Sequence, residues 1–214
     1  MHSMANPKRG LFIVFEGLDG SGKGTMLSKT AEYLFNSFKE LDQIVLTREP
    51  TYSPLGRSIR KLLKESKTPK SDSKRLLSLY LEDRKEHLTQ LIRPSIVQGA
   101  VVLCDRYKYS TLAYQQTQGI ALEAIVNLHK NMLVPDLILL LDVDPESALQ
   151  RIQSDRTYIE KFEQLEFMQE LRENYVRLKQ VLPSENIVII NANLDPLSVF
   201  EQIRSAVVRV LERR

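Results

Sequence analysis

The chain has no tryptophan and a single cysteine, Cys104, among 214 residues. One thiol excludes an internal disulfide and a cysteine-rich zinc site. Cys104 sits in a valine- and leucine-rich run and reads as a small buried strand residue. Glycine is scarce at 8 residues and proline numbers 9, which excludes collagen-like and low-complexity chains. No apolar run approaches the roughly 18 residues of a membrane span. Leu137 to Leu141 has strand length, and Leu11 to Phe15 stops at Glu16, too early for a signal peptide. A cytoplasmic protein with no membrane partner is expected. Charge of one sign is lacking too: 30 basic residues face 27 acidic ones, for a net +3. The two signs interleave along the chain, which argues against a dedicated nucleic-acid binder.

What is present is an apolar fraction of 43%, enough for a real core. Short apolar runs alternate with longer helical patterns, the signature of an α/β protein with a parallel sheet covered by helices. The expected strands are Leu11–Glu16, Gln43–Thr47, Val101–Asp105, Leu137–Asp142 and Ile187–Asn191, rich in branched residues and without clean alternation, as in strands buried on both faces. Phe162, Leu165, Met168, Leu171 and Tyr175 mark one helical stripe, and Leu197, Phe200, Ile203, Val207 and Val210 another. Asp144-Pro145 and Asp195-Pro196 each read as a helix cap followed by proline in the first turn. No repeat, linker or composition break divides the chain. We expect a flexible N-terminus over 1–9, one domain over 10–214, a solvated connection over Lys64–Lys74, and a mobile lid at about 151–161.

The scarce glycine is concentrated. Gly17, Gly20, Gly22 and Gly24 fall within residues 17–25, GLDGSGKGT, which follow a strand and precede a helical pattern. That context is what a phosphate-binding loop requires. Glycines bring backbone N–H groups against phosphate oxygens, the helix start adds a positive dipole end, and Lys23 supplies a cation for the β- and γ-phosphates. The candidate ATP-binding residues are therefore Gly17, Asp19, Gly20, Ser21, Gly22, Lys23, Gly24 and Thr25. The usual pattern has a hydroxyl residue directly after the lysine; here Gly24 stands there and Thr25 follows. The next two strands end in Thr47-Arg48-Glu49-Pro50 and Cys104-Asp105-Arg106-Tyr107. Ligands of open α/β sheets bind at the carboxyl ends of strands, so these charges should face the loop. Asp105 reads as a carboxylate linked to Mg²⁺, with Thr25 as the hydroxyl on the metal side, and Arg106 as a phosphate clamp.

The ordered set FEGLDGSGKGT (15–25), TREP (47–50), LYLEDRKEHLTQLIRP (79–94), DRYKYSTLAYQ (105–115) and PDLILLLDVDPESALQRI (135–152) resembles the thymidylate kinase family. The resemblance implies a P-loop kinase fold with five parallel strands in the order 2-3-1-4-5 and helices on both faces. It implies transfer of phosphate from ATP, with Mg²⁺, to dTMP, giving dTDP for dTTP synthesis, in a homodimer. Tyr80 would stack on thymine and Arg84, one turn on, would bond the base; i and i+4 share a helix face. Arg48 and Arg106 would hold the acceptor phosphate. Asp19 would lie near the sugar, with Glu49, Ser110, Thr111 and Tyr114 completing the dTMP site. Tyr114 would crowd a ribose 2′-OH. The loop carries no arginine, so transition-state charge would be met from the lid, by Arg156 assisted by Arg151, which also joins the ATP-binding residues, or by Lys161.

The nucleophile is then an anionic phosphate oxygen and needs no general base, so Lys23, Arg106, Arg156 and Asp19 are the catalytic candidates, and His87 and His129 read as ordinary helix residues. One rival is a deoxynucleoside kinase with Glu49 as base, which Arg48 and Tyr107 fit less well than a phosphorylated acceptor. Another is a nucleotide-binding module without turnover.

Overall fold

The computed structural model describes residues 9–66, 68, 70–155 and 164–213. Five strands form one parallel sheet: β1 (Leu11–Gly17), β2 (Ile44–Arg48), β3 (Val101–Asp105), β4 (Leu137–Asp142) and β5 (Ile187–Asn191), in the order β2-β3-β1-β4-β5. This is the expected topology, and strand boundaries agree with the sequence reading to within a residue. The first strand of the chain lies at the centre, with β3 on one side and β4 on the other, so the strand order reverses beside it. The crevice at the carboxyl end of such a reversal is where α/β sheets bind ligands.

The three central strands are buried along nearly their whole length, which requires cover on both faces. One cover is α1 (Lys23–Ser37) packed with α9 (Pro196–Leu211); the other includes α5 (Lys108–Thr117) packed with α8 (Leu165–Val181). The edge strand β2 departs from the expected pattern: Leu46 is half exposed, because only β3 flanks it in the sheet. The polar connection is shorter than expected. The helix α2 (Pro54–Glu65) takes its first residues, α3 (Ser73–His87) takes its last, and Ser66 donates from Oγ to Asp72 Oδ2 at 2.5 Å between them. A wider π-type turn, Leu88–Ile92, runs on from α3 into the short α4 (Arg93–Val97). The remaining helices are α6 (Leu122–His129) and α7 (Pro145–Asp155).

Helix starts follow the sequence signals. Asp195 Oδ1 accepts from the Leu197 and Ser198 amides at 3.0 and 3.1 Å, closing the first turn of α9. At α7 the Asp144 carbonyl begins the helix by accepting from Ala148, while its carboxylate receives Arg172 at 2.7 Å. The expected lid begins inside α7, which continues to Asp155; Arg156, Lys161 and Phe162 lie outside the described residues. Among the described residues no helix is long and apolar enough to cross a membrane.

Register sets the site. Phe15 and Arg48 both pair with Asp105, from opposite neighbours of β3. The end of β1, the end of β2 and the end of β3 therefore stand level, with Arg48 and Asp105 beside the loop that follows β1.

Candidate active site

The loop after β1 turns back at Gly20, whose φ is +78° and whose place a Cβ would occupy only 2.3 Å from the Ala148 carbonyl oxygen. A side chain there is refused twice, by conformation and by α7. Gly24 is different: it is helical, and a Cβ would meet nothing within 4 Å. Lys23 is buried in the loop, donating from Nζ to the carbonyls of Gly17 at 3.1 Å and Leu18 at 2.6 Å. Burial and the nearby Arg106 push its ammonium down to about 8, against the opposing pull of Asp19 and Asp105.

Above the loop opens a cleft of about 500 Å³, bordered by Lys23, Thr25, Arg48, Asp105, Arg106 and Arg151. These are the groups that the motifs predict for phosphate and metal. Arg48 donates to Asp105 Oδ2 at 2.9 Å, while Asp105 Oδ1 is buried with no partner among the described residues. Arg151 reaches back to the loop and to the end of the sheet, donating to the carbonyls of Gly20 at 3.4 Å and Ala192 at 3.0 Å. Arg106 adopts φ +71°, a backbone conformation that long side chains avoid at a cost of roughly 1–2 kcal/mol. It is held there by its amide bond to Phe15 O (2.9 Å) and by its guanidinium, which donates to Asp19 at 2.8 Å and to Ser110 at 2.9 Å. Burial would raise the Asp19 carboxyl, but Arg106 and Lys23 outweigh it and hold the group well below the usual carboxylate range.

Beyond Arg106 lies a second cavity of about 150 Å³, reached by Tyr80, Arg84, Thr111, Tyr114 and Gln115. Asp19 and Arg106 border both spaces. Tyr80 and Arg84 share the face of α3 that the i, i+4 spacing predicts. Tyr114 places its hydroxyl 3.4 Å from Asp19 Oδ2. Arg84 is almost fully buried, with Nε on Glu49 Oε2 at 2.7 Å and Nη2 on Thr111 Oγ1 at 3.0 Å. The other Glu49 oxygen lies 3.1 Å from His87 Nδ1, whose Nε2 lies 2.7 Å from Thr47 Oγ1. With both carboxylate oxygens engaged, Glu49 is a strut for Arg84, which counts against its use as a general base.

The geometry brings in residues that the sequence reading passed over. His87 and His129 are not ordinary helix residues: both are buried and bonded into the cavity wall, His129 Nε2 at 2.8 Å from Arg84 Nη1. Tyr107 is structural at its polar end, since its hydroxyl donates to the Leu133 carbonyl at 3.0 Å and its ring lies under the Arg84 guanidinium at 5.2 Å. Tyr175, expected as a core residue of α8, carries its hydroxyl to Arg106 Nη1 at 3.0 Å. Glu16 accepts from the Tyr107 amide at 2.7 Å and the Ser110 amide at 3.1 Å, capping α5; burial pushes its carboxyl up. Asp83 receives the amide and hydroxyl of Thr51 at 2.8 and 2.5 Å, fixing the turn into α2. Gln115 directs a buried carbonyl oxygen with no partner among the described residues. A signal for part of this set existed: Asp83, Arg84 and His87 continue the stripe of buried Leu76 and Leu77 and partly buried Tyr80, where a plain core helix would stay apolar.

The model of the thymidylate kinase family matches residues 15–203. Relatives include a protein named probable thymidylate kinase from Thermococcus kodakarensis, 39% identical over 199 residues that span 90% of this chain and 95% of that protein. Another of the same name, from Pyrococcus horikoshii, is 36% identical over 207 residues, 95% and 97% of the two chains. The thymidylate kinase of Desulfovibrio desulfuricans is 39% identical over 216 residues, 95% of this chain and 98% of that one. Likeness of this extent runs through the phosphate loop, both cavities and the sheet that aligns them, and the chain belongs to the thymidylate kinase family.

Proposed function

We propose that the chain transfers the γ-phosphoryl group of ATP to dTMP, giving ADP and dTDP. The observation that carries this reading is the wall shared by the two cavities: Asp19 and Arg106, paired at 2.8 Å, border both the phosphate cleft and the smaller cavity. A nucleotide monophosphate whose base fills the small cavity then directs its phosphate past Arg106 into the cleft. There Lys23 and the loop amides face the donor.

The chemistry needs little from the protein beyond position and charge. The acceptor oxygen is already anionic, so no side chain has to take a proton. Arg106 neutralises the acceptor phosphate and Arg48 assists from the cleft rim. Lys23 is largely charged at neutral pH, and the arriving phosphates raise its proton affinity further. Gly22 and Gly24 carry backbone amides of the cradle. Arg151 approaches the donor side, with Arg156 and Lys161 following it in sequence as the cations for the transferred group. In the small cavity Tyr80 provides the stacking ring, Arg84 and Gln115 the polar edge, and Ser110, Thr111 and Tyr114 the sugar side.

The residues fit a magnesium ion. Asp105, whose Oδ1 has no partner among the described residues, and Thr25 both border the cleft. When bound, the ion neutralises charge on the β- and γ-phosphate oxygens. We extend the reading to a cytoplasmic location and to a homodimer, which rests on the family resemblance; sedimentation at micromolar concentration tests the dimer.

A coupled ADP-release assay with dTMP, dUMP and thymidine tests the reaction. Turnover with dTMP is expected. Turnover of thymidine without dTMP would replace this reading with a nucleoside kinase, and silence on every acceptor with a binding module.

A further inference from the structure

Arg84 is a donor-only group with five N–H bonds in a rigid fork. Three of them are committed to the protein: one to Glu49, one to Thr111 and one to His129. Among the described residues two N–H bonds are left, one on each terminal nitrogen. The Tyr107 ring, 5.2 Å from the guanidinium carbon, restrains the plane of the fork from one face. Rotation within that plane is governed by the acceptors around its edge. Glu49 fixes the Nε side, and Thr111, a rotatable hydroxyl, meets Nη2. Nη1 is met from α6 by His129 at 2.8 Å.

The tautomer of His129 follows from its other bond. Nδ1 lies 2.7 Å from the Ile125 carbonyl oxygen. A carbonyl accepts and never donates, so Nδ1 carries the proton and Nε2 presents a bare lone pair to Arg84. Burial, with the Arg84 charge behind it, pushes the imidazole down to about 3, which keeps it neutral wherever the enzyme works. The ring is 2% exposed and ends α6, so the acceptor is held by helix geometry.

We infer that His129 is a positioning residue for base recognition: it sets the in-plane angle of Arg84, and thereby the direction in which the two remaining N–H bonds meet the acceptor base. A donor-only fork rewards ring carbonyls, as thymine and uracil carry at the position where cytosine has an amine. His129 therefore acts on discrimination between these monophosphates without touching them. The inference rests on the reading of Arg84 as a base contact.

Three substitutions separate the possibilities. His129→Leu keeps bulk and removes both bonds, His129→Asn keeps a donor for Ile125 but not the reach to Arg84, and His129→Gln restores an acceptor at that reach. Kinetics with dTMP, dCMP and ATP are read beside a thermal melt. In His129→Leu and His129→Asn the KM for dTMP is expected to rise about five- to twentyfold, as for loss of one charge-assisted bond's geometry, with a smaller change in kcat and none in the KM for ATP. The preference for dTMP over dCMP narrows by a similar factor, and His129→Gln returns both to within about threefold of the parent. A fall in kcat with the dTMP KM unmoved, or a folded His129→Gln that rescues neither quantity, overturns the inference. Should His129→Leu fail to fold, the Asn and Gln pair carries the same comparison. Arg84→Met distinguishes the premise: an unchanged dTMP KM there sinks the base contact itself. A raised KM there with normal His129 variants sinks only the positioning role.

Discussion

The phosphate side and the base side of the site are built in opposite ways. The centre of the proposed phosphate side is one contiguous stretch, residues 17–25, which offers backbone amides and a lysine bonded to carbonyls five and six residues away. The base side is a side-chain network. Its central bonds join Arg84 to residues 35, 27 and 45 positions distant, in the loop after β2, on α5 and on α6. A cradle made of backbone tolerates loss of its cation without losing shape. A buried ionic network is part of the packing, and removing one member leaves another charge stranded.

The difference predicts a split between turnover and stability. Lys23→Met is expected to lower kcat by about 10²–10³-fold, as for loss of a preorganised charge. Its melting temperature should stay within a few degrees, because burial already disfavours the ammonium. Glu49→Ala strands Arg84, 1% exposed, without its carboxylate. That should cost about 3–5 kcal/mol, or about 10 °C of melting temperature in a chain of this size. Calorimetry beside the coupled assay reads both. If Lys23→Met melts as low as Glu49→Ala, the two sides do not differ as described.

Legibility in the sequence followed the same division. The strands, their order and the phosphate loop were readable because each is a local pattern: a branched run, a glycine cluster, a charged strand end. Family resemblance then supplied Tyr80, Arg84 and Tyr114, which line one cavity as expected. His87 and His129 were misread because their partners, Glu49 and Arg84, are 38 and 45 residues away, and no periodicity reports such a distance. Tyr175 hid for another reason: its ring fits the apolar stripe of α8, and only its hydroxyl belongs to the site. Leu46 was expected to be buried because composition does not reveal which strand ends at a sheet edge.

Within the phosphate side, glycines that look alike in the sequence differ in space. Gly20→Ala forces a Cβ toward the Ala148 carbonyl at a positive φ, so the loop must move. Displacement of the cradle by about 1 Å should lower kcat/KM for ATP by roughly 10–100-fold. Gly24→Ala meets no atom within 4 Å on a helical backbone and should hold kcat/KM within about threefold. Equal losses at the two positions would mean that the open space beside Gly24 is itself used.

A last expected effect separates the two sides by acidity. His129 titrates near 3 in the folded chain, against an ordinary value of 6.5. Between those values the unfolded chain binds a proton that the native one excludes, so stability falls as pH drops below 6.5. One such group contributes a slope of at most about 1.4 kcal/mol per pH unit. The charges facing it, Arg84 from α3 and Lys108 from α5, reinforce the exclusion. Asp19 on the phosphate side works in a lower window. Its carboxyl is held below the ordinary 3.8, so its stabilisation is present above that value and is lost only as pH falls beneath it. Glu16, raised by burial, opposes both but is common to parent and variant. Urea midpoints at pH 7, 5.5 and 4.5 should therefore fall more steeply in the parent than in His129→Gln, which has no group titrating there. Parallel curves would place the acid sensitivity of the fold elsewhere than in the base-side network.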